Sequence, residues 1–264
     1  MKYIDIHSHL NLSEFEADLE DTIVRLQSTD TGTIVVGTDF ETSKKAVEIA
    51  EDHADIFACI GVHPVDDKEK IFDKEKFAEL VTSKKVVAIG ECGLDYFHAD
   101  KNDAEERLRQ QKLFLDQIEF AVEYNLPIMI HSRDAYIELL DMLEPLVLKY
   151  KGALRGNVHF FAGDLTVAKR FIQLGFTLSF TGVITFARSY DEVIKNIPLI
   201  SIMSETDSPF VSPVPYRGKR NEPSYVQQVV KKIAELRGEE LEIVQKAMLE
   251  NASRLFKINL AQIG

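Results

Sequence analysis

Five short apolar runs in this chain each end on a histidine or an acid, and that repetition narrows the folds open to it. Ile4-Asp5-Ile6-His7-Ser8-His9 opens the series. Val86-Val87-Ala88-Ile89-Gly90-Glu91, Pro127-Ile128-Met129-Ile130-His131, Gly156-Asn157-Val158-His159 and Ile200-Ser201-Ile202-Met203-Ser204-Glu205-Thr206-Asp207 repeat the plan. One such strand end means little. Five of them, spread over the whole chain, point to a single polar site at the mouth of a parallel barrel, because separate loops would not hold so many groups in register.

The remaining pattern agrees. Strand-like runs fall at about 3–7, 33–37, 57–62, 86–91, 127–131, 156–160, 176–180 and 200–206. Amphipathic stretches lie between them: Thr42–Asp52, Asn102–Tyr124, Arg133–Lys149, Thr166–Leu174 and Asp191–Asn196. In the second of these, Leu108, Leu115, Ile118 and Val122 recur at helical spacing. Ser224–Leu255 gives one or two closing helices around Gly238. Eight strands alternating with helices predict a (β/α)8 barrel rather than an open doubly wound sheet, since no Gly-rich phosphate fingerprint follows the first strand. With 264 residues and no linker or repeat, the chain is expected to form a single barrel domain over 1–264.

Composition limits the function classes. The net charge of −12 argues against a protein that coats nucleic acid by charge alone, though metal ions would add local positive charge that the count omits. No apolar run is long enough for a membrane helix, so no membrane partner is expected and a cytoplasmic location follows by default. Cys59 and Cys92 sit in or just after apolar strands and read as buried thiols.

His7 and His9 lie two apart on one strand and share a face with Asp5, which makes them a natural pair of ligands for one ion. Taken alone, such a pair is more commonly core or solvent-facing; its weight comes from the other strand ends. Glu91 offers two oxygens and can bridge two cations. His131 and His159 can serve a second ion through neutral imidazole nitrogens. Asp207 stands at the tip of the last strand, which Pro209 ends abruptly. Glu205 shares its face, either as an acid orienting a ligand from behind or as an interior ion-pair partner.

These motifs, with Gly61-Val62-His63-Pro64, Gly90-Glu91-x-Gly93-Leu94-Asp95-Tyr96, Ile130-His131-Ser132-Arg133, the Pro213–Pro223 segment and Asn251-Ala252-x-Arg254-Leu255-Phe256, run in one order that resembles TatD-type metal-dependent deoxyribonucleases. The resemblance implies a (β/α)8 barrel of the amidohydrolase type with two divalent ions. His7, His9 and Asp207 would hold one, His131 and His159 the other, with Glu91 shared. It also implies 3′→5′ hydrolysis of DNA phosphodiesters at single-stranded ends through a metal-activated water, with Asp207 and Glu91 catalytic. The family is usually described as magnesium-dependent, yet four imidazoles suit zinc, manganese or iron better. His63, Arg133, Arg217 and Arg220 are the candidate substrate contacts. The protein is expected as a monomer or weak oligomer.

One departure bears on substrate choice. Where the family often has His-Cys-Phe-Ser-Gly, this chain has His159-Phe160-Phe161-Ala162-Gly163, so the ligand stays and the small polar groups beside it go. Two rival readings use the same residues: hydrolysis of another ester or amide, such as D-aminoacyl-tRNA, and a catalytically idle, metal-stabilised binding protein.

Overall fold

A computed structural model of the chain describes residues 1–65, 71–98 and 103–259. Eight parallel strands follow one another around a sheet in sequence order: β1 (Tyr3–Ser8), β2 (Thr31–Val36), β3 (Ile56–Ile60), β4 (Val86–Asp95), β5 (Ile128–Arg133), β6 (Gly156–Val158), β7 (Thr177–Phe180) and β8 (Ile202–Ser204). Seven helices alternate with them: α1 (Leu19–Ser28), α2 (Phe40–Asp52), α3 (Lys74–Leu80), α4 (Ala104–Glu123), α5 (Tyr136–Tyr150), α6 (Leu165–Gln173) and α7 (Asp191–Asn196). Two more, α8 (Val226–Arg237) and α9 (Leu241–Phe256), close the chain on either side of Gly238, whose φ of 65° makes it a left-handed helix cap. This is the (β/α)8 barrel that the strand and helix alternation predicts. No helix among the described residues is long and apolar enough to cross a membrane.

The seam between β1 and β8 is closed by side chains more than by a ladder. One bridge joins Ser8 to Ser208. The Asp5 carboxylate spans the gap, accepting the Thr206 amide at 2.8 Å and the Thr206 hydroxyl, while Ser204 Oγ donates to the Ile4 carbonyl at 3.2 Å. Burial pushes the Asp5 carboxyl up, and these bonds pull it only part of the way back. Asp5 therefore turns to the seam, away from the two histidines with which it shares strand alternation; the register of β1 shifts between Asp5 and Ser8.

Several elements differ from the sequence reading. β4 runs on to Asp95 because its two glycines allow it to lie close against β5. A Cβ at Gly93 would sit 2.0 Å from the His131 carbonyl oxygen, and one at Gly90 would sit 2.5 Å from that of Met129. The two glycines are what let the strand continue past Glu91, where it was expected to end. α4 begins at Ala104; Asn102, where it was expected to start, lies outside the described residues. Its inner face is Leu113, Phe114, Ile118 and Ala121 with Gln110 and Gln117, whereas Leu108 and Leu115 are exposed. α1 and α3, each ten residues or fewer, were not anticipated.

The two buried glutamines of α4 have work on the barrel. Gln117 brackets Val62, accepting its N–H at 2.8 Å and donating to its carbonyl at 2.9 Å, and so holds the turn that carries His63. Gln110 does the same for Asp95 at 2.9 and 3.1 Å. Paired polar groups of this kind are stable inside a core, but they hide the helical face from a search for apolar periodicity.

Candidate metal centre

The C-terminal ends of the strands bring the six expected ligands together. β4 is irregular between Ile89 and Cys92, and the Glu91 N–H leaves the ladder for the Gly37 carbonyl at 3.1 Å. Such a bulge re-aims a side chain, and here it carries the Glu91 carboxylate to the centre of the mouth. Glu91 Oε2 lies 3.4 Å from His7 Nε2 and 3.9 Å from His9 Nε2. Glu91 Oε1 lies 2.9 Å from His131 Nδ1, 3.4 Å from His159 Nε2 and 3.7 Å from His63 Nε2. Asp207, at φ 56° just past β8, places Oδ1 3.4 Å from His9 Nε2 and 3.9 Å from His7 Nε2. Its backbone is tied to β1, Asp207 N–H to the His7 carbonyl at 2.9 Å and His9 N–H to the Ser208 carbonyl at 2.8 Å.

Among the described residues the donors fall into groups whose atoms lie within 4.8 Å of one another: His7, His9 and Asp207; His63, Glu91 and His131; and His7, His159 and Glu205. In the third, Glu205 is already occupied, accepting the Phe160 N–H at 2.6 Å and the Ser179 hydroxyl at 2.7 Å. It backs His159 instead, with Oε1 3.3 Å from Nδ1 in an alignment too poor for a hydrogen bond.

Whether this donor set suits a metal can be judged from the far side of each ring. His9 Nδ1 faces the Val36 carbonyl at 2.9 Å and His131 Nε2 faces Asp95 Oδ2 at 3.0 Å. Both partners accept, so those nitrogens carry protons; with a metal bound, the opposite nitrogens, which face the carboxylates of Glu91 and Asp207, would offer it their lone pairs. Lone pairs set against carboxylate oxygens call for a cation between them. Among the described residues no lysine or arginine pairs with Glu91 or Asp207, so metal ions or protons must fill that need. The residues fit a metal.

Without metal, the same crowding shifts the titrating groups. Burial alone would raise Glu91 and Asp207, yet the imidazoles hold Glu91 well below, and Asp207 below, the usual carboxylate range. Burial would lower His131, but Asp95 and Glu91 on its two sides push it up to about 9. His7 moves down, driven by burial and by neighbouring His159. Its ring stacks on that of His159 at 3.7 Å, and its Nδ1 has no hydrogen-bond partner.

Above the donors opens a cavity of about 590 Å³. Its wall is divided. Thr38, His63, Ser132 and Arg133 make a polar side over β2, β3 and β5, and Leu12, Phe160, Ala162, Tyr190, Phe210 and Val211 make an apolar side over β1 and β6–β8. Arg133 is held at the rim with its guanidinium carbon 3.9 Å from the centre of the Phe97 ring. His63 Nδ1 faces the Val65 N–H at a long 3.5 Å, and its Nε2 points inward, 3.7 Å from Glu91 Oε1.

The chain matches the TatD related DNase family over residues 4–257. It belongs to that family. An uncharacterized metal-dependent hydrolase of Bacillus subtilis, YabD, is 43% identical over 261 residues, covering 97% of this chain and 99% of its own. The Escherichia fergusonii protein called 3′-5′ ssDNA/RNA exonuclease TatD is 31% identical over 264 residues, covering 97% and 99%. The crystal structure of YJJV, a TatD homologue from Escherichia coli, superposes with a TM-score of 0.88 at 32% identity, over 98% of this chain and 99% of that one. This TatD-family chain is thus a metal-dependent hydrolase with a histidine and carboxylate centre that can hold metal.

Arg217 and Arg220, expected at the substrate, do not line the cavity of this TatD-family barrel. Arg220 pairs with Asp18 at 2.6 Å and Glu222 at 3.3 Å and covers the Phe15 ring, while Arg217 donates to the Ser212 carbonyl at 3.0 Å and lies over Phe186. The sequence reading gave no role to Asp95, Phe210 or Tyr190. Only Asp95 carried a readable signal, standing four residues beyond Glu91 on the same face of one strand.

Proposed function

We propose that this protein hydrolyses the terminal phosphodiester at the 3′ end of single-stranded DNA, using two divalent ions. The observation that carries the reading is the convergence of His7, His9, His131, His159 and Asp207 on the two oxygens of Glu91, beneath a cavity with one polar and one aromatic side. Bound there, the ions supply a water of lowered pKa and positive charge against the phosphate. His7, His9 and Asp207 would hold one ion, His131 and His159 the other, with Glu91 shared. Four imidazoles favour zinc, manganese or iron over magnesium.

The chain's own groups divide the remaining tasks. Asp207, its side chain 13% exposed where it opens to the cavity, is held ionised by its histidine neighbours and so accepts the proton of the attacking water. His63 and Arg133, on the polar wall, take the phosphate oxygens. Phe160 and Phe210 offer flat apolar surface to the terminal base. Phe160 keeps its place at φ 46°, a backbone conformation costly for a bulky residue, while its N–H bonds Glu205. Arg217 and Arg220 we assign to holding the loop after β8. An exonuclease named among the relatives supports the choice of substrate.

The test uses metal-loaded protein and a single-stranded oligonucleotide labelled at its 5′ end, with aminoacyl-tRNA in parallel. A ladder shortened from the 3′ end is expected. Asp207→Asn should slow it by about 10²–10⁴-fold. An oligonucleotide left intact by fully loaded protein, or Asp207→Asn with two ions working at the wild-type rate, overturns the assignment.

A further inference from the structure

Asp95 stands outside the ligand set, yet no carboxylate among the described residues is held more completely. It is fully buried at the end of β4. Gln110 grips its backbone from both sides, at 2.9 Å to the N–H and 3.1 Å to the carbonyl. Oδ1 accepts the N–H groups of Phe97 at 3.0 Å and His98 at 2.9 Å. Oδ2 faces His131 Nε2 at 3.0 Å and His98 Nδ1 at 2.8 Å. The carboxylate cannot rotate without giving up one set of these bonds. His131 is therefore fixed in plane, with Asp95 taking the Nε2 proton and Nδ1, aimed at Glu91 Oε1, the nitrogen left for an ion.

Behind His159 stands the fully buried Glu205 carboxylate, 3.3 Å from Nδ1, which adds negative charge there without a hydrogen bond. The other half of the centre has no such carboxylate. His9 is backed by a neutral carbonyl, and the far nitrogen of His7 has no hydrogen-bond partner. A carboxylate behind an imidazole raises its basicity and adds negative charge near the ion, and both strengthen metal binding.

We infer that Asp95 is a positioning residue for the ion held by Glu91, His131 and His159, and that this half of the centre binds its ion more tightly than the half built on His7, His9 and Asp207. The inference rests on the two-ion part of the function proposed above and is independent of the substrate.

Titration of the metal-stripped full-length protein with Zn²⁺ by calorimetry, and with Co²⁺ by visible absorption, tests it. Two affinity classes are expected. Asp95→Asn keeps the side-chain volume and the bonds from the Phe97 and His98 backbone N–H groups, but turns an N–H towards His131 Nε2 and so drives the ring into the wrong tautomer. It should weaken the tighter class by about 10–100-fold and leave the weaker one in place. His98→Ala, which removes the other partner of Oδ2 and leaves His131 alone, should move neither class more than about twofold. If Asp95→Asn does not fold, His131→Ala asks the same question of the ligand itself and should also weaken the tighter class. A folded Asp95→Asn with both classes intact overturns the inference. So do two equal classes in the wild type, or loss of the weaker class in His131→Ala. Should DNA survive the enzyme while the unequal binding is found, the substrate is wrong and Asp95 keeps its role.

Discussion

The two halves of the centre meet at Glu91 but are built in different ways. His7, His9 and Asp207 are placed by the main chain of the barrel seam: Asp207 N–H bonds the His7 carbonyl, His9 N–H bonds Ser208, and the Asp5 carboxylate bridges β1 to Thr206. His131 and His159 also ride on the barrel main chain, the His159 N–H on the Ile130 carbonyl, but their rings are backed by buried carboxylates, Asp95 and Glu205, which are in turn held by Gln110, Ser179 and the Phe160 N–H. One half depends on the barrel being closed. The other depends on buried carboxylates that a single substitution can neutralise. It follows that affinity is tunable on the β5–β6 side, whereas on the β1–β8 side a change that loosens an ion should also loosen the fold.

The largest test of this contrast is removal of the metal. Stripping by a chelator should abolish hydrolysis, and returning Zn²⁺ or Mn²⁺ should restore it. Any ion that binds only the folded chain adds stability by mass action, about 3–4 kcal/mol when present at 100–1,000 times its Kd. Thermal melts at graded metal concentration should then rise in two stages, the first at low metal from the carboxylate-backed half. A melting temperature that ignores metal would mean that neither half holds an ion.

Asp5 probes the seam. Asp5→Ala leaves the buried amides of Thr206 and His7 without their acceptor, which should cost about 1–3 kcal/mol in denaturant unfolding of the metal-free protein. Because the seam carries His7, His9 and Asp207, the weaker ion should be lost with it and the tighter one kept. An Asp5→Ala protein of reduced stability that still binds both ions would show that the first half does not depend on closure.

How far the sequence revealed this arrangement depends on the distance over which each feature is determined. The strands were readable because parallel strands covered on both faces are continuous apolar runs, and the histidines and acids at their ends stand out against them. The β4 extension was not, since Gly90 and Gly93 look like breakers until the Met129 and His131 carbonyls are seen against them. Asp95, whose four-residue spacing from Glu91 is readable only once the strand is seen to run on, was passed over for the same reason. The inner face of α4 was misjudged at Leu108 and Leu115 because two glutamines, satisfied by the backbone of Val62 and Asp95, take places where apolar residues were sought. α3 offers only Phe77 as a fully buried residue, too little for a periodic signal. The partners of Arg220 are harder still, for Asp18 lies 202 positions away and nothing local links them.

That pair gives the smallest and last test. Arg220 and Arg25 converge on Asp18 and Glu222, tying the loop that follows Asp207 to the start of α1. The cluster is partly exposed, so Arg220→Ala should cost only about 0.5–1 kcal/mol. The hydrogen bond from Arg220, joined against the opposing effect of burial by one from Arg25, holds Asp18 below its ordinary value. A depressed acid contributes stability above its unfolded pKa and loses it as pH falls through the folded one. The gap between wild type and Arg220→Ala should therefore be steady at neutral pH and shrink below about pH 4, where the unfolded aspartate begins to bind protons. Because the loop leads from Asp207, the weaker ion should loosen slightly and the tighter one not at all. If the substitution instead disturbs the His131 side, the two halves are coupled through the barrel and the contrast between them is less sharp than their hydrogen bonds imply.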